Sequence, residues 1–266
     1  MKITDYNIVY INLDKRKDRN KIFKNQFKNI KTKRISAING LKLTNKEYRE
    51  KISNELNIPI DKLIPTFWSN RSNFKSMNKK LEQILPKVGC YLSHLKAIQY
   101  AIQKKWSNIL ILEDDAKTLP NTFSKDFNIP KKCDITYFGG LFWHLEKHNK
   151  NINQWIKINP HKLKLLCTFA YGLNNKNVII DIYNVMRSVF IDSVKSFDKH
   201  VDWRSGNIKM RAQSIDFFYT NYFQKYGICY VKNPVLFTHM ENDHSDISPF
   251  YGTTTKRWKH NYNYND

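Results

Sequence analysis

Three consecutive acids, Glu113-Asp114-Asp115, close the wholly apolar, β-branched-rich run Ile109-Leu110-Ile111-Leu112. Such a run reads as a buried strand, so the carboxylates collect at a strand's end. Adjacent carboxylates repel one another unless they face solvent or a cation sits among them. Hard divalent cations such as Mg²⁺ or Mn²⁺ take oxygen ligands of this kind and in turn hold phosphates. The plain alternative is a solvated acidic loop.

Other residues could serve an anionic ligand. The buried-type strand Asn7 to Leu13 runs into the basic loop Lys15-Arg16-Lys17-Asp18-Arg19, then a helical pattern with Ile22, Phe23, Phe27 and Ile30 on one face. Helix N-terminal amides and guanidinium groups both favour phosphate. Neither G-x-G-x-x-G nor G-x-x-x-x-G-K-[ST] occurs here, so the dinucleotide and P-loop fingerprints are absent. The segment from Gly89 to Ile102 carries Leu92, Leu95, Ile98 and Ile102, with Ala97 and Ala101, as an apolar helix stripe. Ser93 and His94 are expected in its first turns, although a lone helical His is most often structural. Asp216 stands at the start of another helical pattern containing Phe217, Phe218, Tyr222 and Phe223. An acid in that position is ordinarily an N-cap.

The elements that must position these residues suggest a parallel sheet. Lys33 to Ile38 reads as a second strand closed by Asn39-Gly40, which makes strand–helix–strand a βαβ unit. From about 41 to 87 the pattern loosens into polar helical segments and Asn- and Ser-rich loop, read as an insertion with little chemistry. Thr118 to Lys132 reads as loop with a short helix. Asp134 to Phe138 reads as a buried strand ending in Gly139-Gly140, and Leu163 to Leu173 as one further strand. A helix is expected over Asn174 to Val189, with Val178, Ile179, Ile182 and Met186 inward. Ile228 to Val231 and Pro234 to His239 follow as extended segments. Asp198 to Trp203 has no clear assignment, and the end from about 248 to 266 is basic, aromatic and without period. The expectation is one α/β domain over 1–266.

With 41% hydrophobic and 14% aromatic residues, a disordered chain is excluded. Its 45 Lys and Arg against 23 Asp and Glu give a formal charge of +22. That balance attracts polyanions: nucleic acid, an anionic membrane surface or nucleotide-phosphate substrates. Many of these lysines would be ordinary solvated side chains. Cys90, Cys133, Cys167 and Cys229 form no C-x-x-C, so no zinc knuckle or disulfide framework is indicated. Neither a signal-peptide h-region nor a spanning apolar run is seen, and a cytoplasmic location is the expectation.

Six blocks together resemble glycosyltransferase family 25, the group of lipooligosaccharide and procollagen galactosyltransferases. They are Tyr10-Ile11-Asn12-Leu13 with Arg16 and Arg19; Arg34 to Gly40; Gly89 to His94; Leu112 to Asp115; Ile215-Asp216; and Ser245-Asp246-Ile247. They occur in the family's order and span about residues 7 to 247. The resemblance implies a GT-A fold, with a mixed, mostly parallel central sheet flanked by helices. It also implies inverting, Mn²⁺- or Mg²⁺-dependent transfer from a UDP-sugar, galactose or glucose being favoured. The acceptor would be a glycan, as in lipopolysaccharide biosynthesis, or a hydroxylysine-type protein, as in collagen glycosylation.

On that match Asp115 binds the metal, Glu113 lies on the metal or the donor's ribose, and Asp114 stands beside them against the donor. Asn12, Leu13, Arg16 and Arg19 line the nucleotide, Ser93 adjoins it, and Asp216 is the catalytic base on the acceptor side. His239, following Val235-Leu236-Phe237, is expected to complete the metal shell. Two other readings stay open on sequence alone. One is a nucleic-acid binder or metal-dependent nuclease, suggested by charge and acids. Against it, the basic residues are spread along the chain, so no specific nucleic-acid partner is expected. The other is an inactive glycosyltransferase-like scaffold. Peripheral membrane contact is compatible with the charge.

Overall fold

The computed structural model describes residues 1–60, 75–143, 153–159, 164–197 and 215–239. Its centre is a seven-stranded sheet ordered β2-β1-β3-β9-β5-β10-β7. The strands are β1 (Ile8–Asn12), β2 (Thr32–Ser36), β3 (Ile109–Glu113), β5 (Ile135–Tyr137), β7 (Gln154–Lys157), β9 (Ala170–Leu173) and β10 (Cys229–Asn233). The β1–β2, β1–β3 and β5–β10 pairs are parallel; β9 and β7 run antiparallel to their neighbours. Five strands therefore share one direction, as the βαβ reading anticipates. This mixed, helix-flanked α/β sheet is consistent with the GT-A expectation.

Period-two alternation divides the core between the two faces of the sheet. Val9, Ile11, Ile109 and Ile111 join one cluster with Leu92, Leu95, Ile98, Ile179, Ile182, Met186 and Phe218. Ile8, Tyr10, Leu110 and Leu112 join the other with Phe23, Phe27 and Phe237. The first face is covered by α3 (Lys75–Gln103), α4 (Lys176–Phe197) and α5 (Ile215–Phe218). The second is covered by α1 (Lys17–Gln26), through a stack of Tyr10, Phe23 and Phe27 with centroids 4.1 and 4.2 Å apart. Emptying the Phe23 position would cost about 3–5 kcal/mol.

Several expectations need correction. Ile22 is exposed, and Arg19 takes the inward position on α1 beside Phe23. Of the stretch expected to loosen from about 41 to 87, the part up to Ile60 is packed: it forms a 3₁₀ turn and α2 (Lys46–Leu56), and Leu43, Ile52, Leu56, Ile58 and Ile60 enter the main core. α3 begins at Lys75, so Ser93 and His94 lie deep inside a helix and not in its first turns. The expected strand Leu163–Leu173 is two. β8 (Lys164–Leu166) pairs with β6 (Leu141–Trp143), and the chain turns at Cys167, in the left-handed region at φ 66°, before β9. No helix occurs between Thr118 and Lys132; β4 (Ala116–Thr118) leads instead into turns. β4 pairs antiparallel with β11 (Phe237–His239), and this pair brings the late chain to the acids. Asp198 to Trp203, Ser245-Asp246-Ile247 and the basic tail lie outside the described residues.

Candidate active site

Chain order explains where a cleft can form. From β1 the chain crosses to β2 on one side, then returns through α3 to β3 on the other side of β1. The carboxyl ends of β1 and β3 therefore flank a topological switch point, where open α/β sheets bind ligands. Asn12 and Leu13 end β1, and Glu113-Asp114-Asp115 end β3, with Ile11 in register with Glu113. The cleft has a cavity volume of about 90 Å³, within about 700 Å³ of empty space that includes its open mouth. It is thus a groove open to solvent, suited to a ligand larger than a water cluster. Leu13, Lys15, Arg19, Asn39, Gly40, Cys90, His94 and all three acids line it.

The strand's alternation splits the acids. Glu113 points to the helical face, where its Oε1 lies 3.3 Å from His94 Nε2 and 3.5 Å from the Thr168 hydroxyl. Asp114 points to the opposite face. It accepts hydrogen bonds from Asn12 Nδ2 at 2.7 Å and Arg19 at 3.0 Å. Asp115, past the strand's end, lies 3.4 Å from Arg19 and 2.9 Å from His239 Nε2. The β4–β11 register sets His239 opposite Ala116 and so beside Asp115.

A buried guanidinium between Asp114 and Asp115 answers part of the repulsion anticipated from sequence. Burial pushes the Asp114 carboxyl up, and neighbouring Asp115 adds to this against the pull of Arg19 and Asn12. Burial works against Asp115 as well, but His239 and Arg19 outweigh it and hold that group below the usual carboxylate range. Asp115 Oδ1 is buried without a hydrogen-bond partner. That orphaned oxygen, the excess of carboxylate over guanidinium and the adjacent imidazole form a donor set that fits a hard divalent cation. Asp115, with His239 beside it, would hold such an ion.

Asp216 lies in the first turn of α5, and its chemistry differs from that of a cap. It accepts from Thr168 N at 3.0 Å and the Thr168 hydroxyl at 3.1 Å. The turn at Cys167 presents Thr168 between Asp216 and Glu113. Burial, with the nearby Glu113 charge, pushes the Asp216 carboxyl up to about 6. A carboxylate poised there can take a proton from a hydroxyl near neutral pH. Two separated acid positions, Glu113 and Asp216, are thus bridged through Thr168.

Residues 6–225 match the profile of glycosyltransferase family 25, described as LPS biosynthesis protein. The chain belongs to glycosyltransferase family 25. No curated protein matches it. The family span takes in Asn12, Arg19, the three acids and Asp216, whereas His239 lies beyond it. Among the described residues, no helix is long and apolar enough to cross a membrane.

The other expected residues of this glycosyltransferase are placed less simply. Leu13 lines the groove, but Arg16 forks onto Asp18 at 2.7 Å and is not among the lining residues. Lys15 is. Ser93 lines the groove, yet its hydroxyl donates to Gly89 O at 2.6 Å and accepts from Ile38 N at 2.8 Å, joining α3 to the end of β2. Ser93 thereby has structural work of its own. Sequence reasoning passed over Cys90 and Thr168 and gave His94 a structural reading. The signals available were the four-residue spacing of Cys90 and His94 on one helix face, and the alternation that turns Glu113 toward that face.

Proposed function

We propose that this glycosyltransferase moves a hexose, galactose or glucose, from a UDP-sugar to a hydroxyl of a glycan or protein acceptor, with inversion and with Mn²⁺ or Mg²⁺ at Asp115. The observation that carries the reading is an under-neutralised acid cluster lining a switch-point groove, with a separate carboxylate at Asp216, pushed up to about 6, tied to the groove's Glu113 through the Thr168 hydroxyl. A bound divalent cation would supply Lewis-acid stabilisation of the charge that develops on the departing diphosphate. The remaining work falls to the chain itself. Lys15, at the groove, faces the donor's anionic part. Arg19 and Asn12 fix Asp114, so that the acids at the end of β3 keep one arrangement while the donor enters. Asp216, held by Thr168, takes the acceptor's proton as the hydroxyl attacks the anomeric carbon opposite the leaving group.

The test is purified protein with Mn²⁺ and a panel of UDP-sugars, following donor hydrolysis and transfer to candidate acceptors. The reading expects Asp115→Asn to lose metal-dependent UDP binding. Asp216→Asn should keep UDP affinity and lose transfer. Unchanged UDP binding and hydrolysis in Asp115→Asn would remove the metal assignment, and unchanged transfer in Asp216→Asn would remove the base.

A further inference from the structure

We propose that Cys90, His94 and Glu113 form a binding site for one thiophilic divalent cation of the Zn²⁺ class, separate from the oxygen-rich position at Asp115. Each residue offers one ligand atom, and the three atoms lie within 4.8 Å of one another. Cys90 and His94 are four residues apart on α3, so their side chains share one helix face, and Glu113 reaches that face from the end of β3. All three line the groove, so a cation has a route in from solvent.

The decisive feature is the imidazole. His94 is fully buried, its Nδ1 lies 2.9 Å from the Tyr171 hydroxyl, and its Nε2 has no hydrogen-bond partner. When Nδ1–H donates to Tyr171, the Nε2 lone pair faces the Glu113 carboxylate at 3.3 Å. Two acceptors then point at each other in a buried place, and a cation between them relieves the conflict. An imidazole whose far nitrogen is fixed by a hydrogen bond is the usual form of a metal-binding histidine.

Sulfur, nitrogen and carboxylate oxygen together form a donor set that Zn²⁺ accepts and that Mg²⁺ does not favour. Zn–S and Zn–N bonds of about 2.3 and 2.0 Å require the ligand atoms to close by roughly 1 Å, within reach of side-chain rotation. Burial, with the acids nearby, keeps the Cys90 thiol protonated well above its ordinary range. Binding therefore forms the metal–sulfur bond as the thiol proton leaves to buffer, and a fourth position stays open toward the groove. On the donor reading above, such a cation would sit in the groove that the donor enters and act as an inhibitor. Binding itself does not depend on that reading.

The experiment is titration of the metal-stripped full-length chain with Co²⁺, followed by absorption spectroscopy. The expected result is one equivalent bound with a near-ultraviolet thiolate-to-cobalt charge-transfer band, displaced by Zn²⁺. Cys90→Ser should abolish the band. His94→Gln should weaken binding by about tenfold or more. Asp115→Asn should leave the band intact, with thermal unfolding checking that each variant is folded. A band that survives Cys90→Ser would place the cation on another thiol, and a spectrum without the band would mean oxygen ligands only. Either overturns the site. If His94 instead donates Nε2–H to Glu113 as a plain hydrogen bond, no charge-transfer band appears, and the site is likewise overturned. Mn²⁺-dependent UDP binding measured in parallel separates failure of this site from failure of the donor reading.

Discussion

Two of the three carboxylates at the end of β3 meet one buried guanidinium, and the balance between them sets both stability and chemistry. Arg19 holds Asp114 at 3.0 Å and approaches Asp115 at 3.4 Å. Removing it strands two buried charges, so Arg19→Met should lower the unfolding free energy by about 3–5 kcal/mol at pH 7 in urea titration. The deficit should shrink toward pH 5, because burial and Asp115 already raise Asp114, which then takes a proton more readily. Added Mn²⁺ should recover part of it if the acids hold that ion.

Asp216 supplies a second residue-scale prediction with the opposite sign of pH dependence. Its carboxyl titrates near 6 when folded, above its ordinary value of 3.8. The folded state binds the extra proton, so the charged group's cost is absent below about pH 4 and complete above about pH 6. Asp216→Asn should therefore raise stability at pH 7, by about 1–2 kcal/mol after discounting for partial exposure, while transfer falls about 100-fold or more. Wild-type transfer should decline as pH falls through about 6. Thr168→Val, which removes a hydroxyl that favours the charged form, should move that limb to higher pH. A limb that stays in place would mean that another group limits the rate.

At the scale of elements, the groove depends on how closely α3 approaches the end of β2. A Cβ built at Gly89 would meet Ile38 O at 2.5 Å and Gly40 N at 2.6 Å, and one at Gly40 would meet Leu85 O at 1.8 Å. These are backbone atoms that cannot swing aside. Alanine would gain up to about 1 kcal/mol of helix propensity at Gly89, but overpacking costs about 1–3 kcal/mol. Because the obstruction is backbone, overpacking wins: Gly89→Ala should lower the denaturation midpoint and weaken UDP binding together.

The sheet was legible because buried runs such as Ile8 to Asn12 and Ile109 to Glu113 declare themselves, and strand–helix–strand order implies parallel pairing. The start of α3 was not, because Pro86 and Gly89 carry breaker signals that tertiary packing overrides. The break at Cys167 was hidden within an apolar run. Asp115 stood out by type and position, whereas Asp216 read as an N-cap until the family resemblance marked it. The tie through Thr168 could not, since it depends on a turn that no periodicity announces. The Asp115–His239 approach depends on pairing between β4 and β11, about 120 residues apart in sequence.

At the scale of the whole molecule, the formal charge of +22 has to be reconciled with a groove whose floor is acidic. The excess of Lys and Arg must therefore act mainly outside the groove's floor, as a field over the approaching substrates. If the acceptor is an acidic glycan, that field raises its local concentration at low ionic strength. Screening contracts from about 30 Å at 0.01 M salt to about 3 Å at 1 M. The KM for an acidic acceptor should then rise on the order of tenfold across that range. A neutral acceptor of the same length should respond much less, since both reactions share the anionic donor. Steady-state kinetics with the two acceptors at fixed, saturating donor make the comparison. Equal salt responses would show that the basic surface does not recruit the acceptor, leaving its charge to serve the donor or solubility alone.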